Sequence, residues 1–259
     1  MKINDLLEKM QPITLDEMVD IQLMERYDLK YVAPVSLLPQ LLEKMRPYFS
    51  VLTINNTRIS PYCTHYLDTS DLQMFMMHHN RKLNRQKVRF RSYVNSNLTF
   101  LEVKNKNNKG KTLKMRISVP DLPSTPEANR KIQKQFIDDN CFFTIDKLEL
   151  ILSNHFNRIT LVNHEKTERV TIDFDLSFFN HQTKDEKSVN NLLVLELKQN
   201  SKHASSFVNN LFNSLHIRPV SFSKYCMGTV LTNSQIKYNR FKPQLALINK
   251  LTQINYDPI

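Results

Sequence analysis

The densest run of side chains able to do chemistry is Arg85-Gln-Lys-Val-Arg-Phe-Arg91. At a period of two, Arg85, Lys87, Arg89 and Arg91 share one face of a strand, and Val88 and Phe90 the other. Like charges at that spacing repel, and they call for a polyanion, several carboxylates or water. The pattern recurs. Lys104 and Lys106 join Glu102 opposite Leu101 and Val103, and Lys114 and Arg116 oppose Leu113, Met115, Ile117 and Val119. Arg26, Asp28 and Lys30 oppose Tyr27, Leu29 and Tyr31, while Glu196 and Lys198 oppose Leu193, Leu195 and Leu197. Arg158 belongs to a further strand near 155–162. The cleanest alternation spans 168–178, with Arg169, Thr171, Asp173, Asp175 and Ser177 against Val170, Ile172, Phe174, Leu176 and Phe178.

These polar faces carry mostly charge, and the charge is mostly positive. An open basic sheet for nucleic acid would interleave aromatic rings among its cations. Here Tyr27, Tyr31, Phe90, Phe174 and Phe178 fall on the apolar sides, which argues against base stacking and against a nucleic-acid partner. The other geometry is a closed antiparallel barrel with a charged bore and an apolar outside covered by helices. Such a bore suits a chain of phosphates, with the few acids available to a hard divalent cation.

Bulk composition agrees. The net charge is +11 over 259 residues, which favours a polyanionic partner. Only two glycines occur, Gly110 and Gly228, so neither a dinucleotide fingerprint nor a Walker loop is possible, and side chains must hold any phosphate. Cys63, Cys141 and Cys226 are widely spaced, which fits neither a zinc site nor a disulfide framework. No apolar run is long enough for a membrane span, and the N-terminus lacks a signal-peptide core. A soluble, cytoplasmic chain is expected.

The elements that must position these side chains follow from punctuation. Helices are expected at 3–10, and from a Thr14–Glu17 capping box to about Met24. Others are expected at Ser36–Arg46, from a Ser70 or Asp71 cap to His79, and at about 126–139 with Ile132, Phe136 and Ile137 inward. Two more are expected at about 203–215 and after Ser221. A hairpin turning at Asn55-Asn56 is expected over 50–60. Strands are expected at 25–32, 62–67, 85–93, 98–106, 111–119, 155–162, 168–178 and 192–199. The Met74–Met77 run reads as packing, and His78-His79 as a helix-end pair. Residues 180–191 read as loop. The chain is taken as a helical segment 1–24, one domain 25–232 and a tail 233–259.

In order, ERYDLKYV, YLDTSDLQMF, RQKVRFRSY, FLEVKNKNNKGKTLKMRI, ERVTIDFDLSF, LVLELK and SFSKY resemble the VTC domain, the polyphosphate polymerase domain of the vacuolar transporter chaperone family. The resemblance extends to its bacterial members and spans about 25–231. It implies an α+β fold of the triphosphate tunnel type: a closed antiparallel barrel of about eight strands surrounded by helices. It implies phosphate contacts from Lys30, Arg89, Arg91, Lys104, Lys114, Arg158, Arg169 and Lys224, and a metal on Glu196, Mn²⁺ or Mg²⁺. Arg89, Arg91, Lys104, Arg158 and Arg169 would act on the transferred phosphoryl group. Arg85, Lys87, Lys106, Arg116 and Lys198 would add to phosphate binding, with Arg85 and Lys87 at the tunnel mouth. The implied reaction passes the γ-phosphoryl group of ATP to inorganic polyphosphate. A separate membrane protein could couple synthesis to translocation, as in eukaryotic relatives. Two departures stand out. Arg26 replaces the first acid of the superfamily's ExExK strand, as is usual for this branch. Ser221 stands where eukaryotic members carry a second lysine. Hydrolysis of triphosphates at the same site, or binding without turnover, are the alternatives.

Overall fold

A computed structural model describes residues 2–19, 27–109, 111–120, 127–199 and 206–256. Arg26, Gly110, the 121–126 connector and the expected helix start at 203 lie outside the described residues. The strands are β1 (Gln11–Ile13), β2 (Tyr27–Pro34), β3 (Phe49–Leu52), β4 (Ser60–Asp68), β5 (Arg85–Tyr93) and β6 (Leu98–Lys106). They continue with β7 (Thr112–Val119), β8 (Glu149–Asn163), β9 (Glu168–Asn180), β10 (Glu186–Val189) and β11 (Leu192–Gln199). The helices are α1 (Ile3–Glu8), α2 (Leu15–Val19), α3 (Leu38–Met45), α4 (Gln73–His79), α5 (Glu127–Asn140), α6 (Phe207–Ser214), α7 (Lys224–Leu231) and α8 (Lys242–Thr252).

The main sheet runs β2-β11-β9-β8-β4-β5-β6-β7, and each of these neighbours is antiparallel. Hydrogen bonds do not close it, because β2 and β7 are not paired among the described residues. The expected closed barrel is thus an open, curled sheet. A β2–β7 seam would bring Lys30 near Lys114 and Arg116, and like charges facing each other weaken a ladder. Lysine and arginine on an edge strand also discourage pairing.

The outer face is apolar and covered, as the alternation requires. Leu193, Leu195, Leu197, Val170, Ile172 and Ile159 pack under α1, α3 and α6. Val88, Phe90, Leu101 and Val103 pack with Met74 of α4 and Ile137 of α5. The α5 stripe is one position off expectation. Ile132 is 61% exposed and Gln133 is buried in its place, because Gln133 shares the i, i+4 row of Ile137.

Several local expectations change. Asn55 and Asn56 do turn with positive φ, but β3 pairs with β1 and β8, so 50–60 is a turn without its hairpin ladder. The Thr14–Glu17 capping box is present, with both backbone amides bonded to the partner side chain. Neither Ser70 nor Asp71 caps α4. Leu72 occupies that position in a left-handed conformation, and the buried Asp68 carboxylate accepts from the Met74 and Phe75 amides at 2.8 Å each. Strand β10 lies within the expected 180–191 loop. The tail forms α8, whose Leu245 and Ile248 join a buried cluster with α7.

The alternation of β9 breaks at Asp175. Its φ is 52°, and the β8–β9 register jumps from Asn157↔Phe174 to His155↔Ser177. Two residues, Asp175 and Leu176, therefore face Phe156 alone, which makes a β-bulge. Parity flips beyond it. Asp173 keeps the charged face, while exposed Asp175 accepts from Asn157 at 3.1 Å. Leu176 and Phe178 turn inward with Leu152 and Phe156 and receive α7. Gly228 lets the helix approach: a Cβ there would collide with the Phe178 ring and meet Leu152 Cδ2 at 2.7 Å.

Candidate functional site

Three carboxylates organise the concave face, and each holds two cations. On β2 and β11, Lys30 and Glu196 are direct register partners, with Lys30 Nζ donating at 2.7 Å. Lys198 also binds Glu196 and lies 3.1 Å from Asp28. Across β5, β6 and β7, fully buried Glu102 accepts from Arg89 Nε at 2.8 Å and Nη2 at 2.6 Å, and from Lys114 at 3.1 Å. Between β8 and β9, Arg158 grips Asp173 with a two-toothed contact of 2.5 and 2.7 Å. Lys224, at the start of α7, binds the same carboxylate. Alternation puts the strand-borne partners on one face, and the register sets Lys30 opposite Glu196, Arg89 opposite Glu102 and Arg158 opposite Asp173, while Lys114 reaches Glu102 from the diagonal position.

Burial pushes each carboxyl up, but its two cations outweigh it. Glu102 falls to about 2, Glu196 falls well below the ordinary carboxylate range, and Asp173 falls too. All three remain ionised at neutral pH, so they fix the orientation of Arg89, Arg158, Lys30 and Lys224.

Three further cations have no such partner. Lys87, Arg91 and Lys104 form no ion pair among the described residues, and the buried Arg91 Nε makes no hydrogen bond. Burial drives Lys104 down to about 6, helped by Arg89, Arg91 and Lys198 against Glu196. Burial also drives Lys87 to about 8, with Arg89, Lys30 and Arg85 adding to it, and Lys224 to about 8. These fields cross the cavity: Lys104 of β6 feels Glu196 and Lys198 of β11, and Lys87 of β5 feels Lys30 of β2. The two ends of the curled sheet therefore face each other over a cationic hollow.

Of the remaining expected residues, Arg169 stands opposite Lys198 in the ladder, and Lys106 opposite Arg85. Arg85 donates to the Lys82 carbonyl at 2.7 Å. Lys87 lies toward α7, whose Cys226 contributes to its field. Arg116 lies over the Phe100 ring at 4.5 Å, and Ser221 is exposed. Asp175 leaves the face at the bulge.

Aromatic rings do lie on this face, contrary to expectation. Tyr62, Tyr93, Phe100 and Phe156 share the parity of the cations, and Arg158 lies 4.8 Å over Tyr62 while Lys224 lies 4.4 Å over Phe156. Tyr31, Phe90 and Phe174 do pack outward. The missed signal was available: Tyr93 is two residues from Arg91, and Phe100 two from Glu102.

On the opposite surface of β4 and β8, Cys63 Sγ lies 3.0 Å from His65 Nε2 and 3.1 Å from His155 Nε2. Burial raises this thiol to about 11 and lowers His65 to about 4, so both are neutral and the thiol is no nucleophile at pH 7. All three cysteines are free. Among the described residues no group of three or more His, Cys, Asp or Glu could hold a metal ion. Each cavity carboxylate is also paired with two cations.

A polyanion entering the hollow is expected to restore the charge of Lys104. At pH 7.5 the free Lys104 is mostly neutral, and nearby phosphates raise its pKa, so binding takes up close to one proton. Below pH 5 the lysine is already charged and the uptake vanishes. Calorimetric titration with tripolyphosphate in two buffers of different ionisation enthalpy measures this. Identical enthalpies at pH 7.5 would refute it.

No curated protein matches the sequence. Among solved structures, a protein from Hippeastrum described as an adenylyl cyclase with dominant triphosphatase activity shares the fold at TM-score 0.53 and 12% identity, covering 79% of this chain and 95% of its own. Two candidate adenylate cyclases align more loosely. That from Vibrio parahaemolyticus has TM-score 0.47 and 12% identity, covering 78% and 97% of the two chains. That from Bacillus halodurans has TM-score 0.46 and 14% identity, covering 77% and 96%. The VTC domain matches residues 25–233, and the chain belongs to the VTC-domain family.

Proposed function

We propose that the protein is an ATP-dependent polyphosphate polymerase. One observation carries the reading beyond family membership: Lys87, Arg91 and Lys104 are half-buried in the hollow and form no ion pair among the described residues. Charging such groups without a counterion is costly, and an anion removes that cost. A row of phosphates supplies many oxygens at once.

In this reading a terminal oxygen of the polyphosphate attacks the γ-phosphorus of ATP. A new P–O–P bridge forms, the bond to the β-bridging oxygen breaks, and ADP leaves with the electron pair. Such transfer needs positioning and charge neutralisation rather than a protein nucleophile. Arg89, Arg91, Lys104, Arg158 and Arg169 would surround the transferred group. Lys30, Lys114, Lys198 and Lys224 would hold its neighbours, and Arg85, Lys87, Lys106 and Arg116 the outlying phosphates. The carboxylates hold the guanidinium planes in place beforehand. Mg²⁺ or Mn²⁺ would arrive as the metal–nucleotide substrate, with Glu196 the acid offered to it. No helix among the described residues is long and apolar enough to cross a membrane. A cytoplasmic site, and a separate membrane partner for translocation, belong to the proposal.

Incubation with ATP and Mn²⁺ is expected to yield long polyphosphate, resolved on gels. Inorganic phosphate as the sole product would replace the polymerase with a hydrolase. Exposed Ser221 favours a second reading, a polyphosphate-binding protein without turnover. Tight binding and unchanged ATP would establish it.

A further inference from the structure

The cationic hollow has an aromatic border that phosphate binding does not explain. The rings form a chain across four strands. Phe156 of β8 and Tyr62 of β4 stack at 5.3 Å and 17°. Tyr62 meets Tyr93 of β5 at 5.0 Å, and Tyr93 meets Phe100 of β6 edge-on at 5.8 Å. Arg116 of β7 then lies over Phe100 at 4.5 Å. Exposure rises along this chain. Phe156 and Tyr62 are 4% and 8% exposed, Tyr93 and Phe100 are half-buried, and Arg116 is exposed. The inner rings are core, packed against α7. The outer two are not enclosed.

Their position ties them to the hollow. Phe100 is the register partner of Arg91 and shares a face with Glu102, two residues along β6. Tyr93 ends β5 and pairs with Leu98 at the start of β6. The open rings thus sit at the strand ends away from Arg85 and Lys106, one step from the unpaired Arg91.

We infer that Tyr93, Phe100 and Arg116 form a stacking site for a nucleobase, which seats a nucleoside polyphosphate with its phosphates pointing into the hollow. An aromatic face and a planar guanidinium both stack on bases, and each tolerates every base because all have π-faces. Arg116 stands on an edge strand with its side chain in solvent, so it can lift from Phe100 and cover the far side of a base. The phosphates of the same ligand then reach Arg91 and Arg89. The site distinguishes a nucleotide from bare phosphate chains, and it favours purines, with their larger stacking area, over pyrimidines. It offers no reason to prefer adenine to guanine.

This inference rests on the proposed function, and one experiment separates them. Dissociation constants for ATP and for tripolyphosphate are measured by calorimetry, with the same Mg²⁺ concentration, on the full chain and on Phe100→Ala and Phe100→Leu. The leucine variant keeps apolar volume and removes only the ring, so it guards against a folding loss. Both variants are expected to bind ATP about tenfold more weakly while tripolyphosphate changes less than twofold. Equal losses for the two ligands, or undiminished ATP binding, would overturn the stacking site and leave the proposed function standing. A native chain that binds tripolyphosphate but not ATP would overturn both the stacking site and the ATP-dependent polymerase, leaving only phosphate-chain binding. A native chain that binds neither would overturn both.

Discussion

Arg89→Met is expected to cost the protein about 3–5 kcal/mol of stability, whereas Arg91→Met, two residues away on the same face, costs nothing or stabilises by about 1 kcal/mol. The difference lies in their partners. Arg89 closes on Glu102, which has no exposed surface and keeps only Lys114 as a direct ion-pair partner if the arginine is lost, with Arg91 acting at longer range. A buried carboxylate with half its compensation gone carries a desolvation penalty that methionine cannot repay. Arg91 has no carboxylate of its own, and burial and Arg89 both depress its pKa. Removing it relieves repulsion and an unsatisfied buried Nε. Binding moves in concert instead: each substitution is expected to weaken tripolyphosphate at least a hundredfold, as for the loss of a buried charge-assisted contact. Denaturant unfolding with calorimetry on both variants checks the pair. Equal destabilisation would show that Arg91 is structurally compensated, and undiminished binding by either would remove it from the phosphate site.

Asp68→Ala is expected to be as damaging, by about 3–5 kcal/mol, although Asp68 lies in no predicted charged face. Its carboxylate accepts from the Thr69 amide at 2.7 Å, from Met74 and Phe75 at 2.8 Å each, and from the Tyr225 hydroxyl. It therefore caps α4 and anchors α7 through one side chain. Alanine leaves several buried donors unmet at about 1–3 kcal/mol each, with partial relief by relaxation. Tyr225→Phe removes the acceptor's partner rather than the acceptor, and is expected to cost about 1 kcal/mol. Tyr225 directly follows Lys224, so Asp68→Ala should also weaken tripolyphosphate binding while Tyr225→Phe largely preserves it. A fall in stability of under 1 kcal/mol for Asp68→Ala would contradict this account.

Much of the site was legible because it rests on parity. Arg85–Tyr93, Leu98–Lys106 and Leu192–Gln199 are strands with the boundaries their alternation implies, and the cations of these strands share the concave face. Parity says nothing about register, so the pairing of Glu102 with Arg89 and Lys114, or of Asp173 with Arg158, needed the folded sheet. The apolar rings on the charged face were missed for a related reason. Tyr62, Thr64 and Tyr66 form a mixed face without charge, so β4 drew no attention, yet it lies between the two charged halves. The α4 cap is not legible locally because Ser and Asp next to a helix start are the usual caps, while Asp68 reaches its amides from five residues before the first helical residue.

The extra residue at Asp175 acts as a shift of reading frame. Before it, odd-numbered residues of β9 face the hollow; after it, even-numbered residues speak to α7. One strand therefore carries two messages out of phase, and a deletion of one residue there would garble the second. Leu176 and Phe178 would swing outward, α7 would lose its seat, and Lys224 would go with it. The charged half thus depends on a punctuation mark that lies outside it.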